Sequence, residues 1–547
     1  MDGSVNRRDF LKRVGLGAAS LAVGARVRGD SARGRSRPVN LLFIMTDQQR
    51  FDALSRAGNR TLKTPNLDRL AAEGVFFENA YSGCPVCVPA RTVILTGHGI
   101  ESVRVKSNGD YDRPDVADLP TFDNILSRRG YRTEYYGKWH SPYKFASTYD
   151  NAVRQVGKHG RDGPAPSMKA AYIEYLNKHV PAREPRAGEL TDGSSGRPYR
   201  PDPLDWQYGA ESEEPGAERE GGRKGARAKS KKSKRTSQAG SYGCLDIPAE
   251  HSRTAFPAKE TIAALERMKD GPFSLTCSFG PPHPPMVLPR PYYGMYPAED
   301  IPAPGSIDDP MTDSPYAAKA GGEDMKRYRN KGHIRQMTSN YYGLVKEVDD
   351  WVGRILDKLR ELGLERDTLV VFTSDHGEML GDHGLHGKGV FYEGSAHIPL
   401  LMRLPSSIAR GTVVSTPVSH ADIFATILDY LDVPGHKSDG RSLRPMIEGK
   451  GDGGMDFCVS EWGAESGATL MVRTKKWKYI CSHSRRSKGI DALYDLEEDP
   501  LEVNNLIGRR PRMARHVKQA AAMKARLVSW LEKTGSPRLE GVKDRSV

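Results

Sequence analysis

The chain is predicted to fold as a doubly wound α/β domain followed by a smaller C-terminal α+β domain. Three features of the sequence carry that expectation. The first is a set of apolar runs that end in polar residues: VNLLFIM (Val39 to Met45), closed by Thr46-Asp47; PFSLTCSF (Pro272 to Phe279), running out into GPPHPP; and TLVVFTSDH (Thr368 to His376). Uninterrupted runs of this length fit strands covered on both faces, as in a parallel sheet. The second is a helix in YYGLVKEVDDWVGRILDKLRELG, where Tyr341, Leu344, Val345, Val348, Val352, Ile355, Leu356 and Leu359 fall on one face and Gly363 is the stop. The third is a change of pattern after Pro434. TLMVRTKKWKYICSH reads there as a strand or hairpin of an antiparallel sheet, and MARHVKQAAAMKARLVSWLEK as a closing helix. Strands alternating with helices indicate a doubly wound sheet, in which ligands bind beyond the carboxyl ends of the strands. Asp47, Asp375 and His376 stand at such ends.

With 547 residues the chain exceeds one ordinary core. The expected division is a signal and linker over 1–37, a catalytic domain over 38–435 and an α+β subdomain over 436–547. The N-terminal stretch NRRDFLKRVGLGAASLAVGA pairs Arg7 with Arg8 ahead of a mild apolar run ending in small residues. It resembles a twin-arginine export signal, with cleavage plausible near Ala25 and a periplasmic or secreted destination. Beyond it no segment reaches the length of a membrane span. The net charge of +13 is uneven: residues 1–38 contribute +6 and residues 211–235 another +4, so the body is nearly neutral. Residues 205–243, poor in apolar side chains and rich in Gly, Ser and Lys, are expected to form a disordered basic insertion. A solvated loop accounts for that basic run, and no nucleic-acid partner is expected. Six cysteines in a chain this long make no disulfide framework, and Cys244, Cys277, Cys458 and Cys481 read as core residues.

Chemistry concentrates elsewhere. CPVCVPARTVILTG (Cys84 to Gly97) sets Cys87 two residues before a proline and four before Arg91, and PARTVILTG is expected to open a helix. A residue at a helix N-terminus faces partial positive charge that favours oxyanions. Asp47 with Gln48, and Asp375 with His376, offer three oxygens and a nitrogen for one divalent cation. Lys138 and His140 follow a further strand in GYRTEYYGKWH, His283 sits in a loop stiffened by prolines, and glycines flank Lys388 in GLHGKG. Singly, each of these four also fits an exposed or packed residue.

In combination they resemble the sulfatases, a family of the alkaline-phosphatase-like superfamily. CVPAR with its downstream Thr-Gly is similar to the first sulfatase signature and GYRTEYYGKWH to the second. FTSDHGEMLGDHGLHGKG and LYDLEEDPLEVNNL resemble later segments, in the family's order from about residue 38 to 506. The resemblance implies a mixed, mostly parallel sheet sandwiched by helices and a sulfuric ester hydrolase. It implies that a formylglycine-generating enzyme oxidises Cys87 to formylglycine, whose hydrate carries two hydroxyls on one carbon. One hydroxyl would attack the sulfur of a sulfate ester; the other would lose its proton as the carbonyl reforms and sulfate leaves. It further implies that Asp47, Gln48, Asp375, His376 and residue 87 bind the metal and that Arg91 steadies the diol. Lys138 and Lys388 would hold sulfate oxygens, His140 would contact the diol, and His283 would protonate the leaving alcohol.

The sequence departs from the common pattern in several places. Gln48 stands where a second Asp is frequent, and His376 where Asn is. Calcium is the first expectation for the metal, with magnesium, manganese and zinc compatible. Ala90 replaces a commoner serine, and His397 stands where arginine is frequent, which puts a salt bridge or substrate contact there in doubt. The expected substrate is a sulfated carbohydrate. A phosphodiesterase or phosphonate monoester hydrolase using the same site is the alternative, and retention of Lys138 and His140 favours sulfate. A non-catalytic binder of sulfated polymer, with Cys87 left as a thiol, is a third reading.

Overall fold

In the computed structural model the run VNLLFIM becomes strand β1 (Asn40–Asp47), buried along its whole length. Leu41, Phe43 and Met45 join one apolar cluster, and Leu42 and Ile44 the cluster on the opposite face. That division is why the strand reads as a continuous apolar run rather than an alternating one. The structure describes residues 38–547 apart from 113–117, 144–150, 156–167, 180–189, 192–241, 246, 320–322, 464–467, 484–488 and 510–512. The export signal and residues 205–241 of the expected insertion lie outside the described residues.

The elements that build the site are, in chain order, β1, α1 (Pro65–Glu73), β2 (Val75–Phe77), α2 (Cys87–Thr96), β3 (Arg132–Lys138), β4 (Asn151–Gln155), α3 (Ala255–Met268) and β5 (Phe273–Pro282). They continue with α4 (Lys331–Glu361), β6 (Thr368–Ser374), β7 (Leu400–Arg403), β8 (Thr412–Val414) and α5 (His420–Tyr430). The central sheet has eight strands in the order β8-β2-β7-β6-β1-β5-β3-β4. Pairings from β6 through β4 are parallel, and β7 runs antiparallel to both β6 and β2. Side chains of α2 and α5 cover one face of the sheet, and those of α1, α3 and α4 cover the other. Among the described residues no helix is long and apolar enough to cross a membrane.

Two local expectations are corrected. Helix α4 begins ten residues before the predicted stretch, capped by Asn330, whose side chain accepts the His333 N–H. Ile334 and Met337 extend the same buried face into that first segment. Residues 242 and 243, which the composition places in the insertion, instead lie in a strand, Tyr242–Leu245, parallel to Met286–Pro289. Open ladder positions on a neighbouring strand outweigh a composition argument that carries no information about partners.

The C-terminal sheet comprises β9 (Phe457–Trp462), β10 (Ala468–Thr474), β11 (Trp477–His483) and β12 (Ala492–Asp495), all antiparallel. Leu470, Val472, Tyr479 and Leu493 pack on Met523, Leu527 and Leu531 of α6 (Ala514–Thr534). Met471, Ile480 and Tyr494 pack the other way, on Tyr81, Phe391 and Tyr392 of the α/β body. Buried Lys478 pins this contact, donating to the Phe391 carbonyl and to Glu502, each at 2.7–2.8 Å.

Glu461 in β9 is 2 % exposed and its Oε1 has no hydrogen-bond partner. Burial pushes its carboxyl up to about 7; Arg538 opposes the shift, and Glu101 and Asp439 add to it. A carboxyl raised by folding favours the neutral form. Its stabilising effect is full below about pH 4.3 and is lost as pH rises through about 7. Glu461→Gln is therefore expected to match the parent near pH 4 and to be more stable at pH 8, by about 4 kcal/mol at most. Urea unfolding at the two pH values checks this, and a difference independent of pH would refute it.

Candidate active site

The carboxyl ends of four adjacent parallel strands converge. Asp47 closes β1, Lys138 closes β3, His283 follows β5, and Asp375 and His376 follow β6. Close approach of β3 to β5 requires Gly137: at φ +109° its absent Cβ would stand 1.9 Å from the Ser278 carbonyl oxygen. Helix α2 starts on Cys87, with Val86 extended before it and Gly97 left-handed after it. Cys87 is 1 % exposed, and its Sγ lies 3.1 Å from His376 Nε2 and 3.8 Å from Asp47 Oδ1. His140 and His283 also hydrogen-bond with residue 87.

One donor atom from each of Asp47, Cys87, Asp375 and His376 can be chosen so that all four lie within 4.8 Å of one another, all buried. His376 is oriented for ligation. Its Nδ1 faces the Gly377 carbonyl at 2.9 Å, a group that only accepts, so Nδ1 carries the proton and Nε2 presents a lone pair. Two carboxylates, an imidazole and residue 87 therefore fit one divalent cation. Gln48 meets the site through three hydrogen bonds. Its amide oxygen accepts Lys388 Nζ at 2.5 Å, its Nε2 donates to Glu378, and its backbone N–H donates to Asp375 Oδ1 at 3.0 Å.

Cations balance the buried carboxylates. Lys138 Nζ pairs with Asp47 Oδ2. Arg91 Nε donates to Asp375 Oδ2 at 2.8 Å, and its Nη1 donates to the Lys138 carbonyl at 2.7 Å and to Ser278 Oγ at 2.9 Å. Arg91 thus braces a carboxylate and the ends of β3 and β5. Burial alone would raise the Asp47 carboxyl, yet Lys138, His283 and Lys388 hold it well below the usual range. Burial would likewise raise the Cys87 thiol, but Lys138, Lys388, His376 and the His140 hydrogen bond hold it well below its ordinary value. His140 is pushed down to about 4, by burial first and the Lys138 ammonium second. Burial and then Lys388 lower His283.

Lys388 is carried by a loop tied at both ends. Gly387 N–H donates to Glu378 Oε1, and Gly389 N–H donates to the Pro85 carbonyl at 3.0 Å, beside the Cys87 segment. At Gly389, φ is +79° and an added Cβ would crowd the Trp462 ring at 3.3 Å, so glycine fits there on both counts. His397 is structural: it pairs with Glu393 at 2.8 Å and stacks on Phe51 with centroids 3.8 Å apart. Sequence reasoning missed Glu378 and Ser278. Glu378 lies inside the SDHGEMLG segment, but nothing local marks its carboxylate as buried against Gln48.

A parallel sheet with a buried cysteine, two lysines, two histidines and a cation-competent cluster at its carboxyl end defines a hydrolase of tetrahedral oxyanion esters. The chain belongs to the sulfatase family, which it matches over residues 39–433, and it is a sulfuric ester hydrolase. Residues 381–532 also match the N-sulphoglucosamine sulphohydrolase C-terminal family. It is 29 % identical over 489 residues to an arylsulfatase of Clostridium perfringens, covering 86 % of this chain and 90 % of that protein. It is 28 % identical over 542 residues to an N-acetylglucosamine-6-O-sulfatase of Bacteroides thetaiotaomicron, covering 90 % and 86 %. The crystal structure of a phosphonate monoester hydrolase of Agrobacterium radiobacter superposes with a TM-score of 0.71 at 27 % identity, covering 91 % of this chain and 96 % of that one.

Proposed function

We propose that the protein removes sulfate from a sulfated carbohydrate, with residue 87 matured to formylglycine and one divalent cation, calcium first, held by Asp47, Asp375, His376 and residue 87. The observation that carries this reading is the convergence of Lys138, Lys388, His140 and His283 on a helix-terminal cysteine beside that cluster. When bound, the cation would supply Lewis-acid polarisation of a sulfate oxygen and acidify the nucleophile. The hydrate of residue 87 provides one hydroxyl to attack sulfur and a second to expel sulfate. Lys138 and Lys388 balance the charge of the sulfate oxygens. His140, kept neutral by burial, is suited to take the proton of the second hydroxyl, and His283, in its protonated form, to donate one to the leaving oxygen. Likeness to the N-acetylglucosamine-6-O-sulfatase supports the carbohydrate assignment.

The test pairs two measurements on enzyme matured in its native host. The peptide holding residue 87 should be about 18 Da lighter than its cysteine form, as replacement of CH₂SH by CHO requires. The same sample should release inorganic sulfate from an aryl sulfate and from members of a sulfated glycan panel. A converted residue 87 with no sulfate release would overturn the proposal.

Likeness to the phosphonate monoester hydrolase supports a second reading, the same nucleophile acting on phosphonate or phosphate esters. Lys138 and His140 beside residue 87 favour sulfate, so kcat/KM on a matched sulfate ester is expected to exceed that on the phosphonate ester by at least tenfold, about 1.4 kcal/mol in transition-state binding. The reverse ratio would establish the second reading.

A further inference from the structure

The segment PPHPP that presents His283 is almost devoid of backbone donors. Pro281, Pro282, Pro284 and Pro285 have no N–H, and the one amide left, of His283, bonds back to the Gly280 carbonyl at 3.3 Å. Such a segment has to be held by its carbonyls, and therefore by donors from elsewhere. Arg253, just ahead of α3 and 5 % exposed, supplies them: its Nη2 donates to the Pro285 carbonyl at 2.6 Å and to the His283 carbonyl at 3.3 Å. The carbonyl between them, of Pro284, accepts Nδ1–H of His283 at 2.7 Å. Three successive carbonyls are thus engaged, the outer two by the guanidinium and the middle one by the imidazole, which also hydrogen-bonds with residue 87.

The anchor is itself fixed. Thr254 Oγ1 donates to Glu347 Oε2 of α4 at 2.8 Å, and Arg253 opposes the burial that pushes the Glu347 carboxyl up to about 7. Displacing Arg253 would shift the carbonyls that flank the one the His283 ring bonds.

We propose that Arg253 is a positioning residue for His283, setting the imidazole so that Nε2 meets the leaving oxygen. This rests on the reading of His283 as the proton donor to the leaving alcohol, and it adds a residue from outside the sulfate-binding set. Its signature is dependence on the leaving group. A nitrophenolate departs without a proton, whereas an alkoxide of an ordinary alcohol does not.

The experiment measures kcat/KM for aryl and alkyl sulfates spanning a wide range of leaving-group acidity, with matured wild-type enzyme and the Arg253→Lys, Arg253→Met, His283→Ala and Arg253→Met/His283→Ala variants. Arg253→Met is expected to lose less than about threefold on para-nitrophenyl sulfate and about 10²-fold on an alkyl sulfate, so that the plot of log kcat/KM against leaving-group pKa steepens. Arg253→Lys, whose ammonium reaches the same carbonyls without the planar fork, should fall between Arg253→Met and wild type. Adding Arg253→Met to His283→Ala should steepen the plot no further. Equal loss on every substrate, or no loss on any, overturns the role given to Arg253. If His283→Ala itself leaves the slope unchanged, the proton-donor reading fails instead. If Arg253→Met does not fold, Arg253→Lys alone decides by the same slope.

Discussion

Cys87→Ser is expected to stop turnover, with a loss in steady-state kcat of at least about 10³-fold, while leaving the fold intact. The side chain is 1 % exposed at the first turn of α2, and serine is close to it in size, so packing changes little. A single hydroxyl there can still accept a sulfo group from the substrate, but it offers no second oxygen on the same carbon to push sulfate out. The expected result is therefore specific: a burst of one equivalent of leaving alcohol, no inorganic sulfate, and a sulfated serine in the peptide containing residue 87. Rapid-mix measurement of the alcohol, with mass analysis of that peptide, checks it. Continuous sulfate release by the serine variant would remove the need for the aldehyde.

Arg91→Met is expected to cost about 3–5 kcal/mol of stability, the usual consequence of stripping a buried carboxylate of its partner. Arg91 is completely buried and has bonds to Asp375, the Lys138 carbonyl and Ser278, with Asp47 3.8 Å from its Nη2. Methionine fills much of the volume but satisfies none of these acceptors. The midpoint of urea unfolding should fall accordingly, and Arg91→Lys, with charge but no fork, should lose less. An unchanged midpoint for Arg91→Met would show that the strand ends hold without their brace.

Most of the site was legible because chemistry in an open α/β sheet collects at strand ends, and strand ends can be read from where apolar runs stop. Asp47, Lys138, Asp375 and His376 were found in that way. Their roles came from resemblance to a family. What escaped was long-range: the acceptors that Arg91 meets come from β3, β5 and the end of β6, more than forty residues distant in sequence. Glu378 and Arg253 are ordinary charged residues until the fold buries them. Gln48 shows the same limit: its identity suggested a ligand, but not that its amide would meet Glu378 and Lys388 from a loop some 330 residues away. The early start of α4 was readable in principle, since Ile334, Met337 and Tyr341 keep the helical spacing through an otherwise polar stretch.

If residue 87 is matured as proposed, its burial would impose an order on the protein's manufacture. The Cys87 side chain is 1 % exposed, with Asp47 and His376 against its sulfur. On the proposed reading, oxidation must strike while the nascent segment is still extended, before the C-terminal half of the chain, which supplies Asp375, His376 and Lys388, has arrived to cover it. On that reading, a molecule that folded before residue 87 was oxidised would keep its thiol, and the yield of working enzyme would follow from the order of maturation and collapse.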